Sequence, residues 1–177
     1  MLTKNATKEF KELYGTTENK IGRYRISGLY GILNGYTKPE KYAFPDSTIP
    51  ELIRMRHGSE KHDTCQPILE RWGYKTEVAG EMKYRDIVIT GRADGLNDKE
   101  VIELKTSEKI LSEEKKWHIF QLRWYLTMFN LPEGFVVQPQ FNEKDIWLEV
   151  IGRVERNDDW VNKQLEKLYE FHKKLIK

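Results

Sequence analysis

The sequence predicts an α/β fold, a mixed central β-sheet of about five strands flanked by helices. Three observations point to it. Between Tyr74 and Ser107 run three short segments rich in β-branched residues, YKTEVAGEMKY, RDIVITGRADG and KEVIELKTS, separated by turn-prone Gly, Asn and Asp. Two more of the same kind, GFVVQPQF and DIWLEVIGRV, follow after a gap. Helical periodicity with recognisable end signals lies before, between and after these strands. The order is therefore helix, three strands, helix, two strands, helix.

The elements are justified in turn. The first forty-eight residues mix interrupted helical spacing, ISGLYGILNGY, with the loop-like TKPEKYAFPDS, and read as a helical and loop segment, 1–48. A helix begins near Ile49, where Thr48 and Glu51 stand in capping-box relation and Pro50 falls in the first turn. Leu52, Met55, Ser59, His62, Gln66 and Leu69 form its inward stripe, Pro67 should kink or divide it, and Gly73 suits its end. The three strands after Gly73 read as a meander. The next helix spans 112–130, with Ser112 as N-cap, acidic Glu113 and Glu114 in its first turn and Pro132 beyond its end. The last starts near Asn157, backed by Asp158 and Asp159, with the stripe Val161, Leu165, Leu168 and Leu175. The expected organisation is one domain, 1–177, with a core over 49–154 and a C-terminal helix over 155–177.

A length of 177 residues allows a sizeable core, and 33% charged residues with a net charge of +2 suit a soluble chain. That balance is too even to argue for a nucleic-acid partner by itself. Basic residues do cluster at Lys20, Arg23 and Arg25, at Arg54 and Arg56, and at Lys105, Lys109, Lys115 and Lys116. A solvated face is the plainer reading of each cluster. Cys65 is the lone cysteine, which excludes an intrachain disulfide and a cysteine-rich metal centre. The N-terminus has no apolar signal region and no run reaches membrane-spanning length, so a cytoplasmic, intracellular protein with no membrane partner is the expectation.

The chemistry concentrates in GRADGLNDKEVIELKTS. Strand alternation puts Val101, Glu103 and Lys105 on one face and Ile102 and Leu104 on the other. A hairpin through GLNDK brings Asp94, ending the preceding strand, beside Glu103, and Gly91 and Gly95 leave room around it. Two carboxylates with a strand carbonyl are hard oxygen ligands suited to Mg²⁺ or Mn²⁺. A hairpin bearing an ordinary Glu–Lys pair is the alternative.

Two further groups favour the metal. His62, one turn after Gly58, shares the inward helical stripe and can supply another ligand; Gly58 lets the helix sit close, and His57 falls on a different face. In WHIFQLRWYLTMF, His118, Gln121 and Tyr125 form a polar group within an apolar helical face, which costs free energy unless they find partners or border a cleft.

In order, G-x-x-x-H, G-R-A-D, E-L-K-T and Q-x-x-x-Y resemble the PD-(D/E)XK nuclease superfamily, nearest its RecB-like branch with the CRISPR-adaptation nucleases, over Ile49 to Val154. The resemblance implies a restriction-endonuclease-like core and a Mg²⁺- or Mn²⁺-dependent nuclease hydrolysing DNA, an exonuclease on single strands or duplex ends. It implies His62, Asp94, Glu103 and the Leu104 carbonyl as metal ligands, with Asp94, Glu103 and Lys105 catalytic and Lys105 handling the attacking water. Gln121 and Tyr125 would hold nucleic acid and brace the site, with His118 less defined beside them. Glu77 or Glu81 could add a carboxylate, and Tyr24, Tyr30 or Tyr36 could stack on unpaired bases. DNA is the implied partner, with room for a helicase or recombination partner and a role in repair. Many RecB-like relatives carry a four-cysteine iron–sulfur cluster, which this chain cannot ligate. The rival readings are a structure- or sequence-specific endonuclease, an inactive nucleic-acid-binding module, and a zinc hydrolase built from His62, Asp94 and His118.

Overall fold

The computed structural model describes residues 7–15, 19–42, 48–106 and 116–177, apart from the side chains of Glu9, Arg54, Ser59 and Lys61. Among these residues lie helices α1 (Thr7–Tyr14), α2 (Ile26–Leu33), α3 (Pro39–Tyr42), α4 (Ile49–Arg71), α5 (Lys116–Met128) and α6 (Asp158–Leu175). The strands are β1 (Arg23–Arg25), β2 (Lys75–Tyr84), β3 (Ile87–Leu96), β4 (Glu100–Leu104), β5 (Glu133–Phe141) and β6 (Ile146–Glu155). The sheet runs β1-β3-β4-β5-β6, with β2 also paired to β3. It is mixed: β1–β3 and β4–β5 are parallel, and the other pairs antiparallel.

The mixed sheet, the meander and the last two strands agree with the sequence reading, and one further strand brings the sheet among the described residues to six. The extra one, Arg23–Arg25, comes from the segment read as helix and loop. Its three residues are too few to show a period, and only pairing with Val88, Ile89 and Thr90 makes them a strand. Strand β3 continues to Leu96, so Asp94 lies inside it and not at its end.

Local end signals hold well. The Glu51 carboxylate accepts both the Thr48 N–H and its hydroxyl, each at 2.8 Å. Gly73 takes φ +89° after α4, and the N–H groups of Gly73 and Tyr74 return to the carbonyls of Glu70 and Leu69. Asn157 accepts the Trp160 N–H at 2.9 Å and starts α6, whose Val161, Leu165 and Leu168 are buried. Pro67 does not divide α4, which runs unbroken from Ile49 to Arg71. The expected cap at Ser112 and the acidic first turn at Glu113 and Glu114 lie outside the described residues. Met55, expected on the inward stripe, is 60% exposed, because α4 meets the sheet through Cys65 and Leu69 nearer its C-terminal end.

The two sheet faces carry separate cores. Ile102, Leu104 and Val137 pack with Cys65 and Leu69 of α4. Val101, Val136 and Ile151 belong to a larger cluster with α2, α5 and α6, including Leu29, Leu122, Trp124, Leu126 and Leu168. Val101 and its neighbour Ile102 thus enter opposite layers, as strand alternation requires. No helix among the described residues is long and apolar enough to cross a membrane.

Candidate active site

Strands β3 and β4 pair only at Gly95↔Ile102 and Leu96↔Val101. Past those pairs the ladder stops, and side chains take over from backbone. The Leu104 N–H, which would otherwise seek a strand partner, donates to Asp94 Oδ2 at 2.7 Å. Leu104 itself is fully buried. On its other side β4 stays tied to β5, with the Lys105 N–H donating to the Val137 carbonyl at 2.8 Å.

A cleft of about 780 Å³ opens at this point. His62 and Gln66 of α4, Asp94 of β3, Glu103 and Lys105 at the end of β4, and Gln121 and Tyr125 of α5 all line it. His62 Nδ1 lies 3.4 Å from Asp94 Oδ1. Lys105 Nζ donates to Glu103 and, at 3.4 Å, to Gln121 Oε1. The Tyr125 hydroxyl donates to the Arg92 carbonyl at 3.0 Å, fixing α5 against β3. Gly91 makes that approach feasible, since an added Cβ would lie 2.5 Å from Tyr125 Cε1.

The electrostatics follow from this crowding. Burial pushes the Glu103 carboxyl well above the usual carboxylate range, Lys105 opposes the rise, and the nearby Asp94 charge adds to it. Burial alone would lower His62, but its contact with the Asp94 carboxylate outweighs that and holds the imidazole above its ordinary value. Asp94 contributes to both shifts, raising Glu103 after burial has done most and raising His62 against its burial. Oxygen atoms of Asp94 and Glu77 and a ring nitrogen of His62 lie within 4.8 Å of one another. This donor set, hard oxygens with one imidazole, fits a small divalent cation.

No family model matches the chain, and no curated protein matches it. Solved structures do. The alkaline exonuclease LHK-Exo from Laribacter hongkongensis superposes with a TM-score of 0.60 at 16% identity, covering 96% of this chain and 92% of that one. A phage-related exonuclease from Haemophilus somnus 129PT gives 0.54 at 13% identity, over 94% of this chain and 98% of that one. The chain shares the fold of these two proteins. A third structure, of the protein SSO0001, gives 0.64 at 21% identity and covers 93% of this chain and 81% of that one.

Within this fold, most residues singled out in the sequence converge. His118 does not join them: it is 4% exposed, packs against the Trp117 ring and is absent from the cleft lining. Gly58 has open space where a Cβ would go, so it does not serve close packing. Its carbonyl instead accepts the Thr106 hydroxyl at 3.3 Å, linking α4 to the end of β4. Tyr24 is fully buried with its hydroxyl on His172 Nδ1 at 2.8 Å, which removes it as a stacking surface. Glu81 pairs with Arg23 at 2.8 Å and does not line the cleft.

Several cleft residues were not singled out as site residues from sequence: Arg25, Ser27, Gln66, Thr90 and Arg92. Thr90, Arg92 and Asp94 stand two apart on β3, and Gln66 lies one turn beyond His62, so a period-two and a period-four signal were there to find. Glu77, named only as an alternative to Glu81, has φ +52° in mid-strand. It interrupts β2–β3 pairing between Thr76↔Gly95 and Val78↔Ala93 and turns its carboxylate to Arg92 and Gln66, the latter at 3.0 Å.

Proposed function

We propose that the chain is a Mg²⁺- or Mn²⁺-dependent nuclease that hydrolyses DNA phosphodiester bonds, an exonuclease working at strand ends. The observation that carries this reading is the convergence of Asp94, Glu103, Lys105 and His62 in one cleft. The fold shared with the two exonucleases supports it, and the Laribacter enzyme has also been solved in complex with dAMP, with the same TM-score of 0.60.

His62, Asp94 and Glu103 would hold the cation, with the Leu104 carbonyl and Glu77 as further donors. When bound, such a cation lowers the pKa of water and offsets phosphate charge. The chain's own groups do the rest. Lys105 donates from Nζ, orienting the attacking water and countering charge that builds on the phosphate. Gln121 steadies that ammonium through Oε1. Asp94 holds its place through the Leu104 N–H, so its free oxygen faces His62. Arg25 and Arg92, both exposed in the cleft wall, supply positive charge for the nucleic-acid backbone. Water oxygen bonds to phosphorus, the bond to the 3′ oxygen breaks, and that oxygen takes a proton, leaving a 5′-phosphate and a 3′-hydroxyl.

Labelled linear single-stranded and blunt DNA, with covalently closed circles beside them, test the reading in Mg²⁺, Mn²⁺ or EDTA. The expected outcome is degradation of linear DNA only with metal, and intact circles. Cut circles would make the enzyme an endonuclease, and binding without cleavage in every metal would make it a binding module.

A further inference from the structure

Three aromatic residues cluster where α2 meets α5, two elements that also contribute to the cleft. Tyr30 stands three residues after cleft-lining Ser27 on α2, and Trp117 four residues before cleft-lining Gln121 on α5. Residues at those spacings are neighbours on a helix, so each ring lies within about one turn of a cleft-lining residue, although neither ring lines the cleft itself. The rings meet at the α2–α5 junction, with centroids of Tyr30 and Trp117 6.4 Å apart, and Tyr36 adds a third ring 6.2 Å from Tyr30. Tyr30 is anchored beneath by buried Phe120, edge to face at 5.4 Å.

The outer rings remain open to solvent: Tyr36 is 75% exposed and Trp117 43%. Yet Tyr36 is not loosely placed. Gly35 at φ +76° turns the chain back after α2, and the Tyr36 N–H donates to the Gly31 carbonyl at 2.8 Å. An exposed ring on a pinned backbone loses little freedom when something stacks on it. Exposed Lys38 and Lys116 lie two and one residues away in sequence, supplying charge suited to phosphates.

We propose that Tyr36, Tyr30 and Trp117 form a base-stacking ledge that receives the unpaired nucleotides of a DNA single strand at the cleft rim. The proposal rests on the nuclease reading and adds a strand-recognition surface to it. Stacking on aromatic rings tolerates any base, which suits an enzyme that must travel along a strand.

Fluorescence anisotropy with labelled oligo(dT) and an abasic strand of equal length, in Ca²⁺, tests it. Tyr36→Ala and Trp117→Ala should each weaken oligo(dT) binding by about 5- to 100-fold. Neither should change binding to the abasic strand, and Tyr36→Phe should bind as wild type. Wild-type affinity for oligo(dT) in both alanine variants overturns the ledge. So does an equal loss on the abasic strand, or a wild-type protein that does not bind oligo(dT). Metal-dependent cleavage by the wild type, measured in parallel, reports on the nuclease reading alone: cleavage with ring-independent binding sinks only the ledge, whereas ring-dependent binding without cleavage sinks only the nuclease.

Discussion

Glu103 is a carboxylate buried beside a second carboxylate, and that arrangement makes its proton a reporter of the site. Its folded pKa is raised, so between the ordinary carboxylate range and the raised value the folded chain holds a proton that the unfolded chain has lost. Without a cation, stability therefore falls as pH rises through that window, and raised His62 extends the fall in the same direction. A cation favours the deprotonated forms of both groups. Thermal stabilisation by Mn²⁺ should accordingly be larger at about pH 8 than at about pH 5.5, with the difference reduced in Glu103→Gln. A stabilisation independent of pH would contradict this assignment. Gly91 allows a second prediction at the same scale. Its added Cβ would lie 2.5 Å from Tyr125 Cε1 and 2.7 Å from Ile26 Cδ1, so Gly91→Ala should cost about 1–3 kcal/mol in urea unfolding. Wild-type stability would mean that the close packing around Tyr125 is not needed.

Among elements, those whose ends carry their own chemistry were the readable ones. Thr48 with Glu51, Gly73 and Asn157 mark helix boundaries through bonds made within a few residues, and the structure keeps them. Asn157→Ala should remove the Trp160 cap bond and cost about 1 kcal/mol by the same urea measurement. Elements defined by distant partners were not readable. Arg23–Arg25 is a strand because Val88–Thr90 lies beside it, sixty-odd residues away. The turned backbone at Glu77 left no local trace either, because a positive φ at glutamate follows from its surroundings and not from its propensity. That residue separates stability from function. Glu77→Gly should relieve backbone strain and leave the thermal midpoint unchanged or higher, while weakening Mn²⁺ binding measured by calorimetry. Unaltered Mn²⁺ affinity would remove Glu77 from the donor set.

For the whole molecule, the arrangement that matters is where β3 and β4 part. Side chains from α4, β3, β4 and α5 meet in that gap, although His62 and Tyr125 are far apart in the chain. Motif order gave Asp94, Glu103, Lys105, Gln121 and Tyr125, since each sits at a fixed position in its own strand or helix. It could not give Arg25 or Ser27, which reach the cleft only because β1 docks beside β3. It also carried His118 along with Gln121, although the imidazole is buried and does not line the cleft. On the proposed reading, this gap is a metal-dependent hydrolytic site. The most direct measurement is metal-dependent cleavage of labelled linear DNA by wild type, Asp94→Ala and Lys105→Ala, each checked for a cooperative thermal transition. Wild type should cleave in Mg²⁺ or Mn²⁺ and not in EDTA, and both folded variants should lose at least about 100-fold. Cleavage in EDTA, or full activity in both variants, would contradict it.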